Sequence, residues 1–186
     1  MDRPPDIDRE LAAKARRGDL AAYADLVRRH EEMAFRVAWL VCRSESEAEE
    51  AAQEGFIKAY AALSRLREGA AFRPWLLQIV ANQARNQVRA AARRSHYEQL
   101  AAVAASGDAV PSPEAVAVAD DRKRLLLAAV DALPDHERMI VACRYLLELT
   151  EAETAQVLDL PAGTVKSRLS RGVAHLRSWI EETDRD

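Results

Sequence analysis

Arg85, Arg89 and Arg93 recur at every fourth position, so a helix through them carries its guanidinium groups along one ridge about 12 Å long. Asn82 and Asn86 flank that ridge. Guanidinium groups at this pitch suit phosphates, and an Asn amide can hydrogen-bond to a nucleic-acid backbone or to base edges. A solvated helix face is the plainer reading, yet nothing at i±4 supplies the Glu partners that a self-contained exposed helix uses. A second set, Lys166, Ser167, Ser170 and Arg171, falls on the outer face of a segment whose Val165, Leu169, Val173 and Leu176 recur inward at steps of four, four and three. Both sets suit a polyanion. Bond-making chemistry is not visible. His30, His96, His136 and His175 are scattered, Cys42 and Cys143 lie far apart inside apolar stretches, and neither CxxC nor HExxH spacing occurs. The sequence therefore predicts a binding protein with no enzymatic activity, metal, cofactor or small-molecule substrate.

The chain has 186 residues, 49% hydrophobic and 31% charged, a length that allows one ordinary domain or two small ones of about 60–90 residues each. With 27 Lys+Arg against 30 Asp+Glu the balance is mildly acidic, but the charges are sorted. Ser44 to Ile57 holds Glu45, Glu47, Glu49, Glu50 and Glu54 and no base; Gly69 to Tyr97 holds Arg73, Arg85, Arg89, Arg93 and Arg94 and no acid. Ser95 to Asp121 is again acidic without a base, and Pro161 to Ile180 carries Lys166, Arg168, Arg171 and Arg177 without an acid. Any one block reads as a solvated face; alternating blocks point to two separate places that meet a polyanion. No apolar run approaches the roughly 18–20 residues of a membrane helix. The opening Met1-Asp-Arg-Pro-Pro-Asp has no apolar stretch behind it and is not a secretory signal. The expectation is a cytoplasmic protein with no membrane insertion, its cysteines small buried hydrophobes.

Periodicity is helical almost throughout, which makes the fold class all-α. Leu11 to Arg17 reads as a short helix stopped by Gly18-Asp19, and Tyr23 to Leu40 as a long amphipathic one. Ser44 or Ser46 caps the next, with Ala48, Ala52, Phe56, Ala59, Tyr60 and Leu63 as its apolar stripe. Arg67-Glu-Gly-Ala-Ala-Phe72 breaks the pattern, and Pro74 fits the first turn of the helix that carries the arginine ridge, with Trp75, Leu76, Ile79, Val80 and Val88 as its core stripe. The stretch 95–121 lacks large apolar anchors, contains Pro111 and Pro113, and reads as a flexible acidic linker. It divides the chain into two small helical domains, 8–94 and 121–182, joined by 95–120.

In the second half, Asp120 to Ala132 is a helix, Pro134 starts another, and Thr150-Glu-Ala-Glu153 is a capping box opening a short helix to Leu158. A turn at Asp159-Leu-Pro161-Ala leads into the segment bearing Lys166 and Arg171. Two short helices, a tight turn and a basic outer face make a helix-turn-helix, whose second helix enters the major groove.

Three stretches then resemble the signatures of bacterial RNA polymerase sigma factors: Glu47-Ala-Glu-Glu-Ala-Ala-Gln-Glu-Gly-Phe56, Phe72-Arg-Pro-Trp-Leu-Leu-Gln-Ile-Val-Ala-Asn82 and Gly163-Thr-Val-Lys-Ser-Arg168. The small two-domain form of the sigma-70 family, the extracytoplasmic-function type, is the nearest likeness, over about 20–182 and in the expected order. The resemblance implies that Glu49, Glu50, Gln53, Glu54 and Phe56 bind core RNA polymerase. It implies that Gly69, Phe72, Asn82, Arg85, Asn86, Arg89 and Arg93 read and open the minus-10 promoter element. It gives Thr164, Lys166, Ser167, Arg168, Ser170 and Arg171 to the minus-35 element, with Arg168 on phosphate or an intradomain acid. Promoter DNA, core polymerase and an anti-sigma factor are the partners it implies. The other reading the residues allow is a free-standing helix-turn-helix regulator with a helical dimerisation or sensing domain, which leaves the ridge at 85–93 without a purpose. The chain departs from the family pattern at Gly55, Thr154 and Gly172. Gly in a helix costs up to ~1 kcal/mol relative to Ala, so these departures bear on stability rather than on contacts.

Overall fold

A computed structural model describes residues 7–67, 69–102, 128–130 and 132–183, with only the backbone of 95–102. Among the described residues there is no strand, and the main helices are α1 (Ile7–Arg16), α2 (Leu20–Cys42), α3 (Glu45–Ala62), α4 (Phe72–Ala102), α5 (Asp135–Val141), α6 (Glu151–Leu158) and α7 (Ala162–Thr183), with further helical residues at 128–130 and 132. The fold is all-α, as the periodicity predicts.

Local signals set most of the boundaries. Asp19, expected only as a stop for α1, caps α2 by accepting from the Ala22 amide at 3.0 Å. Ser44, rather than Ser46, caps α3 through the Glu47 amide. Arg43 between them sits in the left-handed region at φ 58° and closes α2 with its own amide on the Trp39 carbonyl. The Thr150–Glu153 capping box forms in full: the Glu153 amide donates to Thr150 Oγ1 at 3.2 Å, and the Thr150 amide donates to Glu153 Oε2 at 2.8 Å. Asp159, at φ 55°, makes the turn between α6 and α7.

Two expectations are corrected. α4 runs on to Ala102, so its helix continues well into the segment read as linker; Ala-rich sequence without a breaker before Gly107 sustains it. The rest of that segment, and most of the helix expected from Asp120, lies outside the described residues. α1 also begins at Ile7 rather than Leu11, because Asp8 is held by α2: its carboxylate meets Arg29 Nε at 2.8 Å and His30 Nε2 at 2.7 Å.

α2, α3 and α4 pack against one another, with α1 laid on α2. Their shared core is Leu26, Val37, Phe72, Leu76, Leu77 and Val80 set among buried alanines at 34, 38, 48, 51, 59, 81 and 84. Small residues at these contacts let the helix axes approach, and each fully buried Leu is worth about 2–3 kcal/mol over an exposed one. The inward stripe of α4 is Leu76, Leu77, Val80, Ala81 and Ala84, while Val88 is 37% exposed. There α6 joins the packing: Arg85 reaches the Val157 carbonyl, and Val88 lines a cleft with Leu40 and Val41 of α2 and Leu158 of α6.

The second half is a helix-turn-helix resting on α5. After α5 the chain widens into a π-turn at Ala142–Leu146, where the Leu147 amide reaches the Ala142 carbonyl at 3.0 Å. The turn points Cys143 and Leu147 inward and leaves Leu146, expected in the core, 43% exposed. α4 packs directly on α6, and one apolar cluster runs from the first half through Ile140, Cys143, Leu147, Leu149, Val157 and Val165. The halves read from sequence as separate modules share this core.

Candidate nucleic-acid interface

The ridge on α4 forms with the expected spacing, and α6 divides it. Asn82, Asn86, Arg89 and Arg93 are exposed, whereas Arg85 is half-buried. Arg85 Nη1 donates to Asn82 Oδ1 at 2.6 Å, and its Nη2 reaches the Val157 carbonyl at 3.4 Å. Val157 lies in the last turn of α6, so the guanidinium caps a helix C-terminus, where a cation is favoured. Burial, aided by Arg89, pushes the Arg85 guanidinium pKa below its usual value; the group is still charged at neutral pH. Arg73, the second residue of α4, makes a similar reach at 3.5 Å to the carbonyls of Leu147 and Glu148, just past the π-turn. Arg89 and Arg93 have no acid partner among the described residues.

Ahead of α4, the loop turns at Gly69, whose φ of +81° suits a residue without Cβ. The Ala70 amide closes the turn on the Arg67 carbonyl at 3.0 Å. Gly69 is exposed, but Phe72 is not: it is 1% exposed, with its ring 5.6 Å from His30 and 5.8 Å from Trp75. Phe72 is therefore withdrawn from the contact set. It braces the loop from beneath, because an aromatic starting a helix over an apolar bundle is worth more inside than out.

On α7, Lys166, Ser167, Ser170 and Arg171 are exposed on one face, and Val165 is fully buried on the other. Thr164 and Arg168 are half-buried. Ser167 Oγ donates to the Thr164 carbonyl at 3.1 Å, and Arg171 Nε donates to the Ser167 carbonyl at 3.4 Å. Arg168 has no acid partner among the described residues and lines a cleft of about 350 Å³ with Arg85, Arg89 and Arg138, one wall from each half. The helix itself is seated by Glu137 of α5, a 2% exposed carboxylate that meets His175 Nδ1 at 2.7 Å.

On α3, Glu49, Glu50 and Gln53 are exposed and Glu54 half-buried. Phe56 is 8% exposed, and its carbonyl accepts from the Tyr23 hydroxyl. It belongs to the core, not to a surface. The sequence reading missed Ile57, which is 63% exposed beside the acids, with Tyr60 40% exposed one turn on. Glu50, Gln53, Ile57 and Tyr60 follow steps of three, four and three, so they share a face. An apolar residue ending an acid-only run was the available signal. Arg9 was missed as well: its Nη2 donates to the Gly69 carbonyl at 2.9 Å across a separation of 60 residues.

The cysteines are inert. Burial pushes the Cys143 thiol up to about 12 and that of Cys42, mainly by burial, up to about 11. Among the described residues no three His, Cys, Asp or Glu gather as a metal site, and no helix is long and apolar enough to cross a membrane.

Comparison with known proteins places this geometry. Residues 26–94 match the family model for sigma-70 region 2, and residues 123–176 match that for sigma-70 region 4. The ECF RNA polymerase sigma-E factor of Escherichia coli K12 is 34% identical over 173 residues, spanning 88% of this chain and 89% of its own length. The Haemophilus influenzae factor of the same name is 31% identical over 183 residues, 94% of this chain and 95% of its own. Among solved structures, CnrH in complex with the cytosolic domain of CnrY superimposes with a TM-score of 0.68 at 26% identity, over 95% of this chain and 98% of its own. The Bartonella quintana sigma factor RpoE, solved with the anti-sigma factor NepR, shares the fold at a TM-score of 0.62 and 19% identity, over 86% of this chain and 96% of its own.

Proposed function

This chain belongs to the sigma-70 family as an extracytoplasmic-function sigma factor that directs RNA polymerase to promoters, and from that premise we propose which of its surfaces does what. It acts in the cytoplasm without chemistry of its own. Glu49, Glu50, Gln53 and Glu54, with Ile57 as their apolar anchor, dock on core polymerase. An exposed Ile ringed by acids has the form of an interface hot spot: a desolvated centre with a polar rim. The Gly69 turn, Asn82, Asn86 and the Arg85–Arg89–Arg93 ridge take the minus-10 element. The 8–94 part would open it by holding an unpaired base, which costs a few kcal/mol in lost stacking that a snug pocket must return. The 121–182 part, through Lys166, Ser167, Ser170 and Arg171 with Thr164 and Arg168 behind them, reads the minus-35 element from the major groove.

The observation that carries this reading is the pairing, in one chain and in family order, of two helices whose exposed cations have no acid partner among the described residues: α4 with Arg89 and Arg93, α7 with Lys166 and Arg171. A free-standing regulator would need only the second. Full use of the first requires α6 to leave α4, since Arg85 is spent on Val157; docking on polymerase would supply that separation. An anti-sigma protein is the expected antagonist; RpoE was solved with the anti-sigma factor NepR, and CnrH with the cytosolic domain of CnrY. Run-off transcription with purified core enzyme on a promoter library tests the whole reading. Promoter-selective transcripts that require this chain are the expected result, and their absence would refute it.

A further inference from the structure

We infer that Glu137, Gly172 and His175 form a seat that sets the depth and rotation of α7 in the major groove, which makes Glu137 and His175 positioning residues for the choice of bases at the minus-35 element. This rests on the reading role proposed for α7 above and adds residues that lie behind the reading face.

Two kinds of contact hold α7. Its Leu169 and Leu176 pack on Val130, Leu133 and Val141, and apolar contact is non-directional, so it tolerates a small roll of the helix. Glu137 does not. It is 2% exposed; its Oε2 meets His175 Nδ1 at 2.7 Å, and its Oε1 lies 3.7 Å from Nε2 of His136 on its own helix. A roll of α7 that carried the His175 imidazole away would take the near partner from a carboxylate that cannot turn to water, a costly state for a buried charge.

Gly172 fixes the depth. It is buried, and a Cβ there would stand 2.9 Å from Cγ2 of Val141 and 3.4 Å from Cβ of Glu137. Without that Cβ, α7 settles closer to α5 than an alanine would allow. At about 100° per residue, Ser167 and Ser170 lie opposite Gly172, with Lys166 and Arg171 on their flanks. Seat and reading face are therefore two sides of one helix. A roll of about 10° moves a side-chain tip at the outer radius of the helix by about 1 Å, more than a hydrogen bond to a base edge absorbs.

The test uses holoenzyme, reconstituted from core polymerase and the full chain, and compares its affinity for a promoter that it transcribes with that for single-base minus-35 variants. Glu137→Leu keeps the bulk of the side chain and removes the charge. Replacing a buried ion pair with an apolar residue is often neutral or stabilising, so the melting temperature should hold or rise while preference for the native base falls about tenfold, the size of one base contact. Glu137→Gln keeps an acceptor for His175 and should retain most of that preference. Gly172→Ala should lose it, and adding Val141→Ala, which clears room for the new Cβ, should restore it. Full base preference in both Glu137→Leu and Gly172→Ala would overturn the inference. So would losses shared equally by all sequences and following a lowered melting temperature, the mark of a merely structural role, or a double variant no better than Gly172→Ala. A wild-type holoenzyme that transcribes without any minus-35 base preference would instead remove the reading role of α7 itself.

Discussion

A Cβ added to Gly55 would stand 2.6 Å from Cγ2 of Val80 and 3.2 Å from its Cα. α3 and α4 therefore touch almost backbone to backbone at this point, beneath the acidic face proposed for polymerase and at the root of the arginine ridge. The overlap is with the methyl of a stiff β-branched side chain, and the nearby Val80 Cα leaves it little room to yield. Gly55→Ala should destabilise the chain by about 1–3 kcal/mol through overpacking, even though Ala gains up to ~1 kcal/mol in helix propensity. Urea denaturation of the two proteins decides it; equal or higher stability of the variant would show that the helices separate freely.

Thr154 makes the opposite case. It is fully buried, and its Oγ1 has no hydrogen-bond partner among the described residues. A buried hydroxyl left unpaired costs about 1–3 kcal/mol. Thr154→Val keeps the shape and removes the orphan, so it should raise the melting temperature by several degrees with no change in transcription. A lowered melting temperature would point to an unseen partner for the hydroxyl.

These two residues show how far the sequence could be read. Both stood out as departures from a family pattern, but only packing says that Gly55 is a requirement and Thr154 a cost. Helix types, caps and the helix-turn-helix were legible because they are written in local spacing, as at Thr150 and Glu153. Phe72 and Val88 were misplaced for a different reason. Periodicity assigns a face, not the neighbour it meets, and along α4 the α6 helix joins as a neighbour at Arg85. Arg9 and Gly69 were illegible as a pair, since nothing in either segment encodes a contact across 60 residues.

Arg85 should act in two opposed ways. In the free chain its bond to the Val157 carbonyl holds α6 on α4, worth about 1 kcal/mol. On the promoter it belongs to the ridge. Arg85→Ala is expected to speed amide exchange in α6 of the free protein and to reduce transcription in the holoenzyme, whereas Arg89→Ala should reduce transcription alone. Unchanged exchange in α6 would exclude the first role; unchanged transcription, the second.

His30 predicts an acid-sensitive fold. Burial holds its imidazole below the usual value, outweighing the pull of Asp8 and aided by Arg29 and Arg73. The unfolded chain takes up its proton near pH 6.5, while the folded one resists until lower pH, so between those values the unfolded state binds more protons. Stability from this group is complete above about pH 6.5 and declines as the pH falls below it. His30→Gln should flatten that decline, read as unfolding free energy at successive pH values; identical slopes would assign the acid sensitivity elsewhere.

Ile57 should carry much of the affinity for polymerase. At 63% exposed it has little to lose on mutation in the free chain. Ile57→Asp is therefore expected to leave the melting temperature within about a degree while weakening core binding by at least tenfold, in the range of an interface hot spot. Glu50→Ala, at the rim, should cost less and mainly lower the association rate. Equal affinity of Ile57→Asp and wild type in a core-binding titration would move the docking surface off this face of α3.

Lys166 and Arg171 share the exposed face of α7 but sit at different depths along it. Lys166 is near the N-terminal end, which in a helix-turn-helix points at base edges; Arg171 lies more than a turn further on, with its Nε already committed to the Ser167 carbonyl at 3.4 Å. Base contacts and phosphate contacts leave different signatures. Lys166→Ala should cost about 1–3 kcal/mol at one minus-35 position and relax the choice of base there, because the lost contact is sequence-specific. Arg171→Ala should weaken all sequences alike and lower the slope of log affinity against log salt by about one. Holoenzyme binding to a set of single-base minus-35 variants at two salt concentrations separates the two. The reverse pattern would exchange their roles, and no effect from either would place the reading face elsewhere on the helix.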